Sequence, residues 1–369
     1  MIRIVHMADA HLDSKYEGLR AETALQRRQE NRENLQAVVD YANRMEAELL
    51  LISGDLVESK EISFETVETI KAAFSAFRGK ILLIFGNHDY ALRQHDKIHW
   101  ADFPNVTIFD SKAIKRVDFP EWNLSVYGAS FDGPYCENSF LENFQVDDPD
   151  VINIMLLHGE LRQGKGLYAP ITEKQIAGSG LTYLALGHTH QFNGVQKCGE
   201  TTYAFPGCLS GRGFDETGVK GFLAGRISKE EVALQFIPID RPQYHDIPLD
   251  ITDFTYSMLI EKIHELAKKP EVEGGIVRLR FAGEREMESL NVEQLTEELQ
   301  PLFYSLSIKD GSFAKRNLWA GIQKDTLEGV FLQKMREIYD GAGSEEERNT
   351  LMLAVRFGLS AMEGRDNPL

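Results

Sequence analysis

The chain has 369 residues, and 57 acidic against 40 basic side chains give it a formal net charge of −17. With 43% hydrophobic and 26% charged residues, its usage excludes a collagenous, disordered or coiled-coil chain, and its length predicts two or three domains at about 100 to 200 residues each. No apolar run approaches the roughly 18 residues needed to span a bilayer, and 15 basic with 23 acidic residues from 245 onward leave both that part (−8) and residues 1–244 (−9) far from a basic nucleic-acid module.

Met1-Ile2-Arg3-Ile4-Val5-His6-Met7 reads as a short strand and lacks the basic and apolar stretches of a secretory leader, so the expected compartment is the cytoplasm. Residues 22–45 contain no Gly or Pro and carry Leu25, Leu35, Val38, Val39 and Ala42 at helical spacing, which predicts a helix lying on a sheet. Residues 48–53, 80–85, 151–157 and 181–186 predict further strands, residues 64–77 a second helix, and residues 106–109 and 123–129 two more short strands. This alternation argues for βαβ units around a central sheet.

After Gly187 the pattern becomes Gly-punctuated β segments at 201–205, 218–227 and 232–239, which complete that sheet without helices. Pro238-Ile239-Asp240-Arg241-Pro242-Gln243-Tyr244 has two prolines in five residues and reads as a linker between a first domain (1–240) and a small α+β domain (245–318). In the second, helices at 255–268 and 292–299 alternate with strands at 275–281 and 302–308. A helical segment (322–369) follows, with Leu327, Val330, Phe331, Met335 and Ile338 on one stripe of a helix over 326–339. Ser344-x-x-Glu347 opens the last helix as a capping box. Cys136, Cys198 and Cys208 are odd in number without CxxC spacing, which argues against disulfides and thiolate metal sites.

Five short clusters stand at the carboxyl ends of apolar runs: Asp9-Ala10-His11, Gly54-Asp55, Gly86-Asn87-His88-Asp89, His158-Gly159-Glu160 and Gly187-His188-Thr189-His190. Ligands of open α/β sheets sit at those strand ends, so the clusters are expected to converge in one crevice. A lone Asp-x-His is common by chance; five such clusters in order are not. Two Asp, an Asn and several His give mixed oxygen and nitrogen ligation, which suits Mn, Fe or Zn better than Mg or Ca, and there are ligands enough for two metals. Two metals about 3.5 to 4 Å apart share a bridging carboxylate, activate water and clamp the oxygens of an in-line displacement; Asp55 is the natural bridge. Glycines 54, 86, 159 and 187 keep the turns tight. His6, His95, His99, His245 and His264 have no such context and read as structural or surface residues.

These five motifs resemble those of the calcineurin-like binuclear metallophosphoesterases, and Asp9-Ala10-His11-Leu12-Asp13-Ser14 with Gly54-Asp55-Leu56 resembles the SbcD exonuclease branch, in particular its YhaO-type members. The match covers residues 1 to about 215. The resemblance implies an α/β fold, a four-layer αββα sandwich with a small α+β capping domain and C-terminal helices. It places Asp9, His11, Asp55 and His190 on one metal and Asp55, Asn87, His158 and His188 on the other, with Mn2+ as the preferred ion. It makes His88 the group that stabilises developing charge or protonates the leaving oxygen, with Asp89 orienting its ring. It further implies DNA as substrate and an SbcC-type coiled-coil ATPase as partner, docked on the C-terminal helices; a homodimer stays open and no membrane is involved.

Two departures stand out. The branch usually carries a His just after Gly-Asp-Leu, where this chain has Val57-Glu58, an anion expected to repel phosphate, and Cys208 replaces the Ser of a Pro-Gly-Ser turn. The expected activity is that of a Mn-dependent phosphodiesterase acting as a DNA nuclease in repair. The alternatives are an enzyme for small nucleotides or phosphoesters, and a non-catalytic scaffold for the ATPase.

Overall fold

The computed structural model describes residues 1–94, 98–239, 242–286, 289–314, 318–320, 322, 325–362 and 364. His95, Asp240 and Arg241 of the expected linker, and residues 315–317 and 321 near the expected start of the helical segment, lie outside the described residues. The chain divides into two compact units, Met1–Tyr244 and His245–Leu369.

In the first unit the chain runs through β1 (Ile2–Met7), α1 (Ala21–Arg44), β2 (Leu49–Ser53), α2 (Phe64–Ala76), β3 (Lys80–Ile84), β4 (Val106–Phe109), β5 (Lys115–Phe119) and β6 (Leu124–Gly128). It continues with β7 (Ile152–His158), α3 (Glu173–Gly178), β8 (Tyr183–Gly187), β9 (Gln196–Cys198), β10 (Thr201–Ala204), β11 (Gly221–Ile227) and β12 (Val232–Pro238). Among the described residues these strands form two six-stranded mixed sheets, consistent with the sandwich that the resemblance implies, whereas the strand pattern alone suggests one central sheet. One has the order β12-β11-β1-β2-β3-β4 and is parallel from β1 to β4; the other has the order β5-β6-β7-β8-β10-β9 and is parallel from β6 to β10.

The pleat sorts the apolar runs between two cores. On one face of the first sheet, Val5, Leu50, Ile52 and Leu83 pack under Leu35 and Val38 of α1 and Ile70 and Phe74 of α2. On the other face, Ile4, Leu49, Leu51 and Ile84 meet Val126, Ile154, Leu156 and Ala185 of the second sheet. The far face of the second sheet, with Leu157 and Leu186, is covered by Phe131, Phe140 and Ile176 of α3. Strands buried on both faces read as continuous apolar runs, and such runs carry no mark of the sheet they join.

Helix α1 departs from its expected stripe. Leu25 is 59% exposed, whereas Arg27 and Asn31 are buried with Leu35, Val38 and Ala42. The periodicity is intact, but its first turns face polar loops: Asn31 Nδ2 donates to the Ala10 carbonyl (2.7 Å), and Arg27 donates to Ser210 Oγ. Asp13 plays a similar local part at α2. Its carboxylate accepts the Ser63 amide (2.6 Å) and the Thr66 hydroxyl (2.8 Å), placing negative charge at a helix N-terminus where the dipole favours it.

The second unit holds β13 (Tyr244–Asp250), which begins one residue before it, α4 (Tyr256–Ala267), β14 (Ile276–Ala282), β15 (Glu284–Arg285), α5 (Val292–Leu299), β16 (Ser305–Asp310), β17 (Phe313–Ala314), α6 (Leu327–Asp340) and α7 (Glu345–Met362). Strands β13, β14 and β16 form a sheet whose core includes Leu259, Ile263, Leu279 and Leu295. The expected linker therefore ends inside a strand at Tyr244. Helices α6 and α7 close on Leu332 and Val355, with Phe331 and Met335 partly buried beside them, so the expected stripe divides: Leu327, Val330 and Ile338 are exposed. Ser344 Oγ caps Glu347 N (3.1 Å), but Glu347 reaches back to the Gly343 amide (2.9 Å) instead of closing the box on Ser344.

Candidate metal centre

The loops after β1 and β2 run on side by side beyond their strands. Asp9 N donates to the Gly54 carbonyl (3.1 Å), His11 N to Asp55 O (3.0 Å) and Leu12 N to Leu56 O (3.0 Å), which fixes the Asp9-x-His11 segment in register with Asp55. The loops after β7 and β8 meet in the same way, through Gly159 N to Gly187 O (3.1 Å). The turns are tight enough to drive Asp9, His11, Asp55 and His188 to positive φ (51°, 44°, 52° and 99°), at about 1 kcal/mol or more each. Strain of this kind persists where the surrounding structure over-determines it, and here it collects at one point.

Asp9, His11, Asp55, Asn87, His88, His158, His188 and His190 come together there, whereas Glu160 accepts the Leu167 and Tyr168 amides instead. One ligand atom each from Asp9, His11 and His190 lies within 4.8 Å of the others, and the same holds for Asp9, Asp55 and His158, and for His11, Glu58 and His88. Asp55 Oδ2 faces two imidazoles at once, His158 Nε2 at 3.3 Å and His11 Nε2 at 3.7 Å. Its other oxygen accepts the His88 amide (2.9 Å). His158 Nε2 is also 3.1 Å from Asn87 Oδ1, and its Nδ1 is 2.9 Å from the Ser53 carbonyl. A carbonyl only accepts, so His158 Nδ1 carries the hydrogen and Nε2 is turned into the centre. The His188 amide donates to both oxygens of Asp9 (3.1 and 2.9 Å), and its ring lies 5.2 Å from that of His158 and 4.7 Å from that of Tyr168.

The electrostatics suit cations. Asp9 and Asp55 are buried with no Lys or Arg at either carboxylate among the described residues. Burial holds the Asp9 carboxyl above the ordinary range. For Asp55 burial acts in the same direction, but the neighbouring His158 outweighs it and keeps this carboxyl ionised far below that range. His158 itself rises to about 9, because the charge of Asp55 overcomes its burial. Burial and the charge of His158 push His188 down to about 3. Two buried carboxylates, an amide oxygen and four imidazoles are donors that fit a pair of borderline divalent ions.

Two expectations are corrected. Asp89 does not orient the His88 ring: its two oxygens are taken by the Leu56 and Gly86 amides, each at 2.7 Å. What the His88 ring meets is the Glu58 carbonyl, 3.1 Å from Nδ1. Glu58, read from sequence as an anion facing phosphate, turns inward: Oε2 lies 3.0 Å from His11 Nδ1, 3.0 Å from Ser14 Oγ and 2.8 Å from Arg212 Nη1. These partners, His11 foremost, outweigh burial and hold its carboxyl down at about 2. Cys208 is buried, its thiol facing the His190 carbonyl at 3.5 Å, with its pKa pushed up by burial.

Sequence reading missed Glu216 and Arg212. Glu216 Oε1 lies 2.7 Å from His190 Nδ1 and 2.7 Å from Arg212 Nη2. Both residues stand in the Gly-rich stretch 207–218, which reads as a plain loop, and no spacing rule ties a carboxylate to a histidine 26 positions earlier. His6, read as structural, is so: it is buried between the sheets, with Nδ1 2.7 Å from Tyr183 Oη and Nε2 3.0 Å from Ser53 Oγ, and burial lowers it to about 3.

Comparison with known proteins gives a match to the family described as calcineurin-like phosphoesterase over residues 2–192. The Bacillus subtilis (strain 168) protein named uncharacterized metallophosphoesterase YhaO is 25% identical over 292 residues, 76% of this chain and 71% of its own length. Among solved structures, TT1561 of Thermus thermophilus is similar over 60% of this chain and 94% of its own, at 12% identity and a TM-score of 0.37. A dimetal phosphatase from Danio rerio is similar over 60% and 91%, at 10% identity and a TM-score of 0.40.

Proposed function

The chain belongs to the calcineurin-like phosphoesterases, and from that premise we propose that it is a two-metal phosphodiesterase whose substrate is DNA. The observation that carries the reading is the position of Asp55 Oδ2, buried between His11 Nε2 and His158 Nε2, which belong to two ligand clusters that share Asp9. Asp9, His11, Asp55 and His190 would hold one ion, and Asp55, Asn87, His158 and His188 the other; the mixed donors favour Mn2+. When bound, the two cations supply the charge that activates water and neutralises phosphoryl oxygens.

This chain's residues do the rest. Asp55 holds the His88 backbone through its amide, and the Glu58 carbonyl keeps the hydrogen on His88 Nδ1. That leaves Nε2 of a ring 37% exposed to hold or pass a proton at the leaving oxygen. Since Glu58 is turned inward and bonded to Arg212, it places no free anion in the path of a DNA strand. The exposed apolar side chains of α6 and α7, Leu327, Val330, Ile338, Leu353, Phe357 and Met362, suit the docking of an SbcC-type ATPase.

A second reading, hydrolysis of small phosphoesters, is favoured by a cleft of about 380 Å³ that Glu17, Asp215, Lys15 and the Glu58–Arg212 pair line, where Glu17 and Asp215, in no ion pair among the described residues, disfavour a polyanion. Mn2+-loaded protein assayed on duplex DNA, single-stranded DNA, a cyclic nucleotide and bis(p-nitrophenyl) phosphate separates the two. Release of nucleotides from DNA is the expected result. Turnover of the small esters with none on either DNA would replace the first reading by the second, and turnover of nothing by a metal-replete protein would leave a scaffold.

A further inference from the structure

Two of the imidazoles in the centre, His11 and His190, lie side by side with Nε2 atoms 3.2 Å apart, and each has a carboxylate against its Nδ1. For His190 that carboxylate is Glu216 (2.7 Å); for His11 it is Glu58 (3.0 Å), which sits off the line of the ring N–H. One guanidinium spans both carboxylates. Arg212 Nη1 reaches Glu58 Oε2 at 2.8 Å, Nη2 reaches Glu216 Oε1 at 2.7 Å, and Nε lies 3.2 Å from the same Glu216 oxygen. The Arg212 amide adds a bond to Glu216 Oε2 (2.9 Å), so side chain and backbone hold this carboxylate from two sides.

We propose that Arg212 is a positioning residue, a single clamp that sets the ring orientation of His11 and His190 together by fixing the two carboxylates behind them. The inference rests on the metal-centre reading above. A carboxylate behind a ligating imidazole fixes its tautomer and its rotation, and changes at such partners typically lower metal affinity about 10- to 100-fold. A guanidinium suits the task because it is planar, always charged and presents its donors in a rigid fork. The ammonium of lysine is a compact point charge on a flexible stem, and it cannot reproduce the fixed fork that meets both carboxylates in set directions.

Removing Arg212 outright would produce opposing effects. Loss of a positive charge draws a cation in, whereas loss of the clamp frees both rings. Arg212→Lys keeps the charge and isolates the second effect. Glu216→Gln provides an independent check, since it keeps an acceptor for His190 but weakens the link to Arg212. Metal-free proteins are titrated with Mn2+ and followed by calorimetry and electron paramagnetic resonance, with His190→Ala marking which binding step belongs to the Asp9–His11–His190 side. Thermal unfolding of each metal-free variant confirms that it is folded.

In wild-type protein two binding steps are expected. Arg212→Lys and Glu216→Gln should both weaken the step that His190→Ala removes by about 10- to 100-fold, leaving the other step within about twofold. Wild-type affinity at both steps in Arg212→Lys would overturn the clamp, and so would equal weakening of both, the mark of a generally loosened fold, or loss of different steps in the two variants. Failure of wild-type protein to bind two ions would overturn the metal-centre reading instead.

Discussion

Gly86 offers a test of the centre through a residue that has no side chain to contribute. A Cβ built on it would stand 2.2 Å from Asp55 Oδ1, 2.8 Å from Asp55 Cγ and 2.9 Å from His158 Cε1, whereas real Cβ atoms essentially never approach a neighbour below 3.0 Å. Gly86 is not among the glycines at positive φ, so alanine there brings no backbone strain of its own; the conflict is steric. In Gly86→Ala the Asp55 oxygen has to retreat by the difference between 3.0 and 2.2 Å, about 0.8 Å, and with it goes the bond from the His88 amide.

Overpacking of this size costs about 1 to 3 kcal/mol of stability, and displacement of a reacting group by about 1 Å costs on the order of 10²-fold in rate. The assay is kcat/KM on bis(p-nitrophenyl) phosphate with bound metal measured alongside, and thermal unfolding shows that the protein is folded. Gly133→Ala serves as the control, because nothing lies within 4 Å of its Cβ. A folded Gly86→Ala protein with wild-type metal content and turnover would refute the placement of Asp55 at the reacting centre.

Other substitutions separate the parts of the centre. Asp55→Asn keeps the shape but removes the charge facing His11 and His158, and should lose both ions and all hydrolysis together; two bound equivalents with undiminished turnover would remove Asp55 from the mechanism. His88→Gln should retain both ions while turnover falls by roughly 10² to 10⁴; loss of an ion would make His88 a ligand. The pH dependence of the metal-free protein follows from two raised groups. Asp89, lifted to about 7 by burial and the charge of Asp55, stabilises the fold fully below its unfolded value of 3.8 and loses that contribution as pH rises through 7. His158, at about 9, contributes below 6.5 and loses its contribution as pH rises through 9. Below pH 6.5 the lowered His6 and His188 work in the opposite direction, so the test lies above it: the urea midpoint in chelator should fall from pH 7 to pH 9, and a midpoint that climbs over this range would contradict the raised groups.

The strand-end clusters were legible because a buried parallel strand reads as a short apolar run, and the chemistry stands at its carboxyl end. Asp9, His11, Asp55 and His158 follow from that alone. The division of the strands into two sheets was legible only through the resemblance and not in the strand pattern: Leu49 and Leu51 face one core and Leu50 and Ile52 another, and a run apolar on both faces carries no record of what covers each. The edge strand β5, with Lys115, Arg116 and Asp118 pointing to solvent, offers only Val117 and Phe119 as an apolar signature. Leu25 and Arg27 exchanged their expected places because α1 begins over polar loops, where a buried guanidinium has partners and a leucine has none to gain. Glu58 was read by analogy of position, and its direction is set by Arg212, 154 residues away in sequence.

Charge decides between diester and monoester substrates, and the decision can be tested. The centre holds four carboxylates, Asp9, Asp55, Glu58 and Glu216, and one guanidinium, Arg212, which binds the last two; with the imidazoles neutral, as metal ligands must be, this leaves three negative charges for the cations to offset. Two divalent ions turn this into one positive charge. A phosphodiester carries one negative charge and is neutralised there, whereas a monoester carries about −1.5 to −2 at neutral pH. The surplus charge of a monoester would fall beside the cleft lined by Glu17 and Asp215, where it is repelled. The Mn2+-loaded protein should therefore show a higher kcat/KM on bis(p-nitrophenyl) phosphate than on p-nitrophenyl phosphate at pH 7.5. The gap should narrow as pH falls and the monoester takes up its second proton. A preference for the monoester at pH 7.5, or a ratio that does not move with its ionisation, would mean that local charge does not select the substrate.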